Sequence, residues 1–169
     1  GSRNDMGAMP FGESGPAGLM NLVQWRVADG GNDHWYAVIP EKLYWIDADA
    51  AARTFSQGGF AGHLATVRSP QENQFIVDHV LAGANQQNQF DNFFIGGRDI
   101  NDGWRWITGE SWGYTNWASG EPNNNGIETA LCMYGHYDTY SHAIPGTWNN
   151  SLPDSSVNHL HQYWSVVEF

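Results

Sequence analysis

Cysteine occurs once, at Cys132, and lysine once, at Lys42. A single thiol excludes an intrachain disulfide and leaves the redox compartment open. Only 7 Lys and Arg stand against 18 Asp and Glu, a formal charge of −11 over 169 residues. Nucleic acids and anionic membranes are held by clustered cations, so this balance argues against both as partners. No apolar run approaches the roughly 18–20 residues of a membrane-spanning helix, and no basic-then-apolar signal segment opens the chain. Internal repeats are absent. Gly1-Ser2 reads as an expression scar, and the Gly- and Pro-rich residues 1–20 read as a flexible leader.

What is present is apolar and aromatic. Hydrophobic residues make up 41% of the chain, with 9 Trp, 8 Phe and 7 Tyr. That supplies one sizeable core, so residues 21–169 are expected to form one domain. Leu22 to Val27 and His34 to Ile39 have strand composition around the Asp29-Gly30-Gly31-Asn32 turn signal. Ala48, Ala52 and Phe55 recur at helical spacing from Trp45, with Gly58-Gly59 as the expected stop. Ser69-Pro70-Gln71-Glu72 predicts a second helix, capped by Ser69 and closed by a Glu72 capping box, running to Gly83. Asn85 to Asn92 reads as a loop. Phe93 to Gly97 and Trp104 to Ile107 then form a hairpin around Asn101-Asp102-Gly103. A long loop from Thr108 to Glu128 precedes strands at Leu131 to Tyr134 and Tyr163 to Phe169. Two helices among small antiparallel sheets, with long loops, make an α+β domain.

Loops that long inside a compact domain usually carry function. Asn116 to Glu128, taken with Trp148-Asn149-Asn150, offers two carboxylates and several amides but no His or Cys. Oxygen donors of this kind suit Ca²⁺, which takes 6–8 of them, and suit Zn²⁺ poorly. The spacing does not fit a helix-loop-helix calcium loop, so the site has to be assembled from separate segments.

Gly62-His63-Leu64-Ala65-Thr66-Val67, Phe94-Ile95-Gly96-Gly97, Gly103-Trp104-Arg105-Trp106, Thr115-Asn116-Trp117, Glu121-Pro122-Asn123, Trp148-Asn149-Asn150 and Val167-Glu168-Phe169 follow in one order. In that order and spacing the chain resembles the C-type lectin-like domain over about residues 34–169. The resemblance implies a C-type lectin-like fold whose long loop region holds calcium. By analogy Glu121, Asn123, Glu128, Asn149 and Asn150 coordinate one Ca²⁺, and Pro122 is cis. Glu121, Asn123, Glu128 and Asn149 also contact two vicinal sugar hydroxyls, each a lone-pair ligand, a donor to carboxylate and an acceptor from amide. The Glu-Pro-Asn form is similar to mannose-type lectins, which take mannose, fucose and glucose-type glycans; Gln and Asp at 121 and 123 mark a galactose preference.

Three departures qualify the match. Asn150 stands where the family usually has Asp, leaving two ligand charges and an expected affinity around 10⁻⁴–10⁻³ M. Thr129 stands where members with an accessory calcium have Asp. The family's half-cystines are replaced by Ala52, Val167 and Ala130, which points to a cysteine-poor bacterial or phage-type member. Cys132 reads as a small buried hydrophobe.

Bland alternatives stand beside these. Glu121, Asn123 and Glu128 also fit a solvated polar loop, and Trp148 and Trp117 fit core packing. Trp112 and the 134–140 insertion are the candidates for sugar stacking. The seven histidines are scattered, and only His159 and His161 lie close together, so zinc is the weaker reading. No Ser-centred elbow or Cys-His motif is present, so the chain reads as a non-enzyme. The expected role is a secreted or cell-surface carbohydrate-binding module of a larger adhesin. The alternative is a protein, peptide or ice-surface binder on the same scaffold.

Overall fold

The computed structural model describes residues 18–84, 92–100, 103–123, 126–138, 142–155 and 161–169. The expected loop at 85–91, Asn101-Asp102, His159 and most of the expected leader lie outside these residues.

Strand β1 (Met20–Gln24) runs antiparallel to β2 (Trp35–Leu43). Helix α1 (Trp45–Ala52) follows, then the short strands β3 (Ser56–Gln57), β4 (Phe60–Ala61) and β5 (His63–Leu64). Gly58-Gly59, expected to stop the helix, instead forms the turn between β3 and β4, with φ of 57° and 89° that only glycine adopts freely. Helix α2 (Pro70–Phe75) starts on Ser69, whose hydroxyl accepts the Glu72 N–H at 3.1 Å. The capping box is displaced by one residue. The Glu72 carboxylate accepts the Arg68 N–H at 2.7 Å and the Tyr36 hydroxyl at 2.6 Å. From Ile76 to Leu81 the helix continues with π-type turns, and Ala82–Ala84 ends it.

The strands β6 (Asn92–Asp99), β7 (Trp104–Trp106), β8 (Ala130–Tyr134), β9 (Trp148–Ser151) and β10 (Tyr163–Glu168) complete the main sheet. Its order is β1-β2-β10-β6-β8-β9, with β5 beside β10 and β7 beside β6. This is one eight-stranded sheet rather than several small antiparallel ones, and the β10–β6 pair is parallel. The C-terminal strand returns between the N-terminal strands and β6, so it joins what local hairpins alone would leave as separate sheets.

Both faces of the sheet are covered, so its strands are near-continuous apolar runs. Tyr36, Val38, Phe93, Ile95, Leu131 and Val166 pack with Ile76 and Val80 of the second helix. Their strand neighbours Ala37, Phe94, Cys132 and Val167 pack with Trp45, Ala48 and Ala52 of α1. Ala52 and Val167 are both fully buried in that second cluster. Gly96 lets β6 cross close by: a Cβ there would lie 2.5 Å from the Leu64 carbonyl oxygen.

Candidate calcium and sugar site

The β8–β9 register sets Leu131 opposite Asn150 and Cys132 opposite Asn149. It thereby fixes Asn149 and Asn150 beside the chain that emerges from Glu128. The Glu121-Pro122 bond is cis. Asn123 is tied to Glu121 by two contacts, its N–H to Oε2 at 3.0 Å and its Nδ2 to Oε1 at 2.9 Å. The Asn123 N–H also reaches Asn150 Oδ1 at 3.0 Å. In return the buried Asn150 amide donates to the Glu128 carbonyl at 2.9 Å and to the Asn123 carbonyl. One side chain therefore ties both ends of the 123–128 loop to β9.

Two observations concern the donor set. Asn149 Oδ1 is buried and has no hydrogen-bond partner among the described residues, an unsatisfied acceptor that calls for a ligand or water. Burial raises the Glu121 carboxyl above the usual range; the Asn123 N–H opposes this, and the nearby charge of Glu128 adds to it. Two carboxylates close enough to repel are eased by a shared cation. Hard oxygen donors, an orphaned carbonyl and paired carboxylates fit Ca²⁺. Among the described residues no group of three or more His, Cys, Asp or Glu converges, because this loop relies on amides.

The thiol of Cys132 is fully buried in the core, and burial followed by the charges of Glu121 and Glu128 pushes its pKa up. Trp148 is fully buried and donates its indole N–H to Asn73 Oδ1 at 2.9 Å. Trp112, expected as a stacking platform, packs into the core instead, with its ring 4.7 Å from Trp106 and 6.0 Å from Trp148. The described part of the 134–140 insertion, residues 134–138, is not beside the site either; residues 139–140 lie outside the described residues. Pairing of Met133 with Trp148 puts it at the end of the hairpin opposite Glu128, where Gly146 O accepts from Asn73 and Asn116.

A polar cluster missed in the sequence lies at the other end of the sheet. Glu168 and Glu72 are 1% and 2% exposed. Glu168 takes His34 Nδ1 at 2.5 Å and the Thr66 N–H at 2.8 Å. The Tyr36 hydroxyl donates to Glu72, with Glu168 3.3 Å away. The available signal was Glu168 set between the apolar Val167 and Phe169; Glu72, flanked by Gln71, Asn73 and Gln74, gave none beyond its place in the helix cap.

Fold and loop together define a recognition domain rather than a catalytic one. The Lectin C-type domain model matches residues 41–158, and the chain belongs to that family of non-enzymatic, carbohydrate-binding domains, which generally bind Ca²⁺. It is 31% identical over 140 residues to Lectin BRA-3 of Megabalanus rosa, spanning 82% of this chain and 74% of that one. It is 29% identical over 133 residues to asialoglycoprotein receptor 2 of Mus musculus, 77% of this chain but only 38% of the receptor. The C-type lectin CEL-I from Cucumaria echinata superposes with a TM-score of 0.63 at 20% identity, covering 92% of this chain and 97% of that one. These relatives are animal proteins, so the expectation of a bacterial or phage-type member is not supported.

Proposed function

We propose that this chain is a calcium-dependent lectin module for mannose-, fucose- and glucose-type sugars, with Glu121, Asn123, Glu128, Asn149 and Asn150 as the metal set. The observation that carries this is the buried Asn149 oxygen, without a hydrogen-bond partner among the described residues, beside the loop that Asn150 ties at Asn123 and Glu128. A bound Ca²⁺ supplies coordination for two vicinal hydroxyls. Glu121 and Glu128 accept the hydroxyl protons, while Asn123 and Asn149 donate through their amides. That division of acceptors and donors selects hydroxyls by the direction of their O–H bonds. Secretion or surface display, and membership of a larger adhesin, go with this reading. No helix among the described residues is long and apolar enough to cross a membrane.

Calorimetric titration of mannose, fucose and galactose at millimolar calcium, repeated after chelation, tests it. The expected result is heat with mannose and fucose that disappears on chelation, and none with galactose. Absence of heat with every sugar from folded protein overturns the proposal and points to a protein, peptide or ice-surface ligand. The double substitution Glu121→Gln with Asn123→Asp should move the preference toward galactose, because it exchanges which side of the site donates and which accepts.

A further inference from the structure

A cavity of about 590 Å³ lies among β1, β2, β5 and the β3–β4 hairpin, on strands other than the β8–β9 pair that frames the sugar loop. That volume is within the range of small-ligand pockets. Its apolar part is aromatic. Trp35 and Phe169 exchange both backbone N–H···O bonds, at 3.2 and 2.9 Å, so their side chains stand next to each other on one face of the sheet. Gln24 lies opposite Trp35 on β1. Phe60 on β4 adds a third ring, 69% exposed and so left almost unused by the core.

The polar groups of this cavity are biased toward acceptors. His34 Nδ1 meets the Glu168 carboxylate at 2.5 Å, and His63 Nδ1 meets the Leu64 carbonyl at 3.0 Å. Both partners accept, so the proton of each neutral ring sits on Nδ1 and Nε2 is left as an acceptor. The two side chains are 40% and 26% exposed, so neither ring is sealed into the core. Asp33 spends one carboxylate oxygen on the Val27 N–H at 2.8 Å and keeps the other. The Asn32 amide already donates to the Tyr36 hydroxyl and to Glu72, and Gln24 Nε2 donates to the Asp33 carbonyl at 3.1 Å.

We propose that this cavity is a calcium-independent site for a small organic cation, an ammonium group carried on an apolar stem. The N–H donors of an ammonium match the free Asp33 oxygen and the two imidazole Nε2 atoms. The faces of Trp35 and Phe60 attract the charge through their ring quadrupoles, and the rings cover the stem. The net charge of −11 draws cations toward the surface and disfavours anions. A neutral ligand of the same shape would gain only the rings. The proposal stands apart from the lectin reading, since it uses no residue of the sugar loop.

The test is calorimetric titration of benzylammonium, benzyl alcohol and benzoate into the protein at pH 8, above the ordinary imidazole range, with calcium present and again after chelation. Benzylammonium is expected to bind about tenfold more tightly than benzyl alcohol, benzoate to give no heat, and chelation to change none of this. Asp33→Asn should remove most of the difference between amine and alcohol. Asparagine keeps the oxygen that accepts the Val27 N–H and tolerates the left-handed backbone at this position, φ 65°, so the loop is preserved. Phe60→Ala, at an exposed side chain, should weaken amine and alcohol alike in a protein whose folding is not in question. Equal affinity for the amine and the alcohol overturns the cation site, and so does amine binding that is lost on chelation or that survives both substitutions. No heat with benzylammonium overturns it as well, even where calcium-dependent sugar binding is intact.

Discussion

On the proposed calcium reading, Asn150 is the side chain on which metal affinity and loop integrity meet. Its amide donates to two carbonyls, those of Asn123 and Glu128, and its oxygen accepts the Asn123 N–H. An aspartate accepts but cannot donate, so at this position it would set a charged oxygen against two carbonyl oxygens in the calcium-free protein. Asn150→Asp should therefore act in opposite directions in the two states. Without calcium it is expected to cost about 1–3 kcal/mol by thermal or urea unfolding, the loss of two buried hydrogen bonds. With calcium the added ligand charge should tighten binding by roughly tenfold. A variant that neither destabilises the calcium-free protein nor tightens calcium would show that Asn150 lies outside the metal set. The neutral residue was visible in the sequence as a missing charge. Its role as a clamp was not, because that depends on carbonyls 22 and 27 residues away.

At the scale of elements, the C-terminal end of the central strand β10 carries a buried cluster of titratable groups. The His34 pKa is raised, chiefly by its hydrogen bond to Glu168 and against the opposing effect of burial; Glu72 adds to it and Arg68 opposes it. A histidine bound more tightly to its proton when folded stabilises fully below its unfolded value near 6.5, and the benefit fades as pH rises through the raised folded value. Burial likewise raises the Glu72 carboxyl, so stability falls as pH climbs from about 4.5 through its folded value. His63 lies 4.0 Å from the same Glu168 carboxylate, and Tyr36 joins the two glutamates. His34→Gln is accordingly expected to lower the melting temperature most near pH 5.5–6, with wild type and variant converging toward about pH 9. A difference independent of pH would mean that the ring acts by packing alone. Legibility divides in the same way. Helix α2 was readable because Ser69, Pro70 and Glu72 are a local signal, and β6 because its apolar run is continuous. Gly58-Gly59 was misread because a helix stop and a hairpin turn ask for the same residue. The Glu72–Glu168 cluster was not readable as one, since only Glu168 between Val167 and Phe169 hinted at a buried carboxylate. It is created by the pairing of β2 with β10, strands far apart in the chain, with α2 bringing Glu72 to Tyr36. The residues of the proposed sugar site were reachable only through their collinear resemblance, since their chemistry is dispersed over about 30 positions.

For the molecule as a whole, charge and ligand linkage combine. A chain at −11 repels itself, and its loop sets Glu121 against Glu128 with no covalent crosslink anywhere to hold the fold. A divalent cation at that loop relieves local repulsion and part of the global excess together. Binding to the folded state alone stabilises by RT ln(1 + [L]/Kd), so a site of about 1 mM affinity in 10 mM calcium contributes about 1.4 kcal/mol. For a domain of this size that is a rise in melting temperature of roughly 3–5 °C. Magnesium at equal concentration should give much less, since it demands a smaller octahedral shell that amide-rich loops supply poorly. Scanning calorimetry in calcium, magnesium and chelator separates the cases. A rise specific to calcium that is abolished by Glu128→Gln locates the ion at the loop, whereas equal rises with both cations, retained in that variant, would reduce the effect to screening of surface charge. On the proposed reading, a site of that affinity also makes sugar capture by one domain shallow. Useful avidity then has to come from several copies displayed together, a gain of about 10²–10⁴ that needs no new contact and that a monomeric preparation lacks.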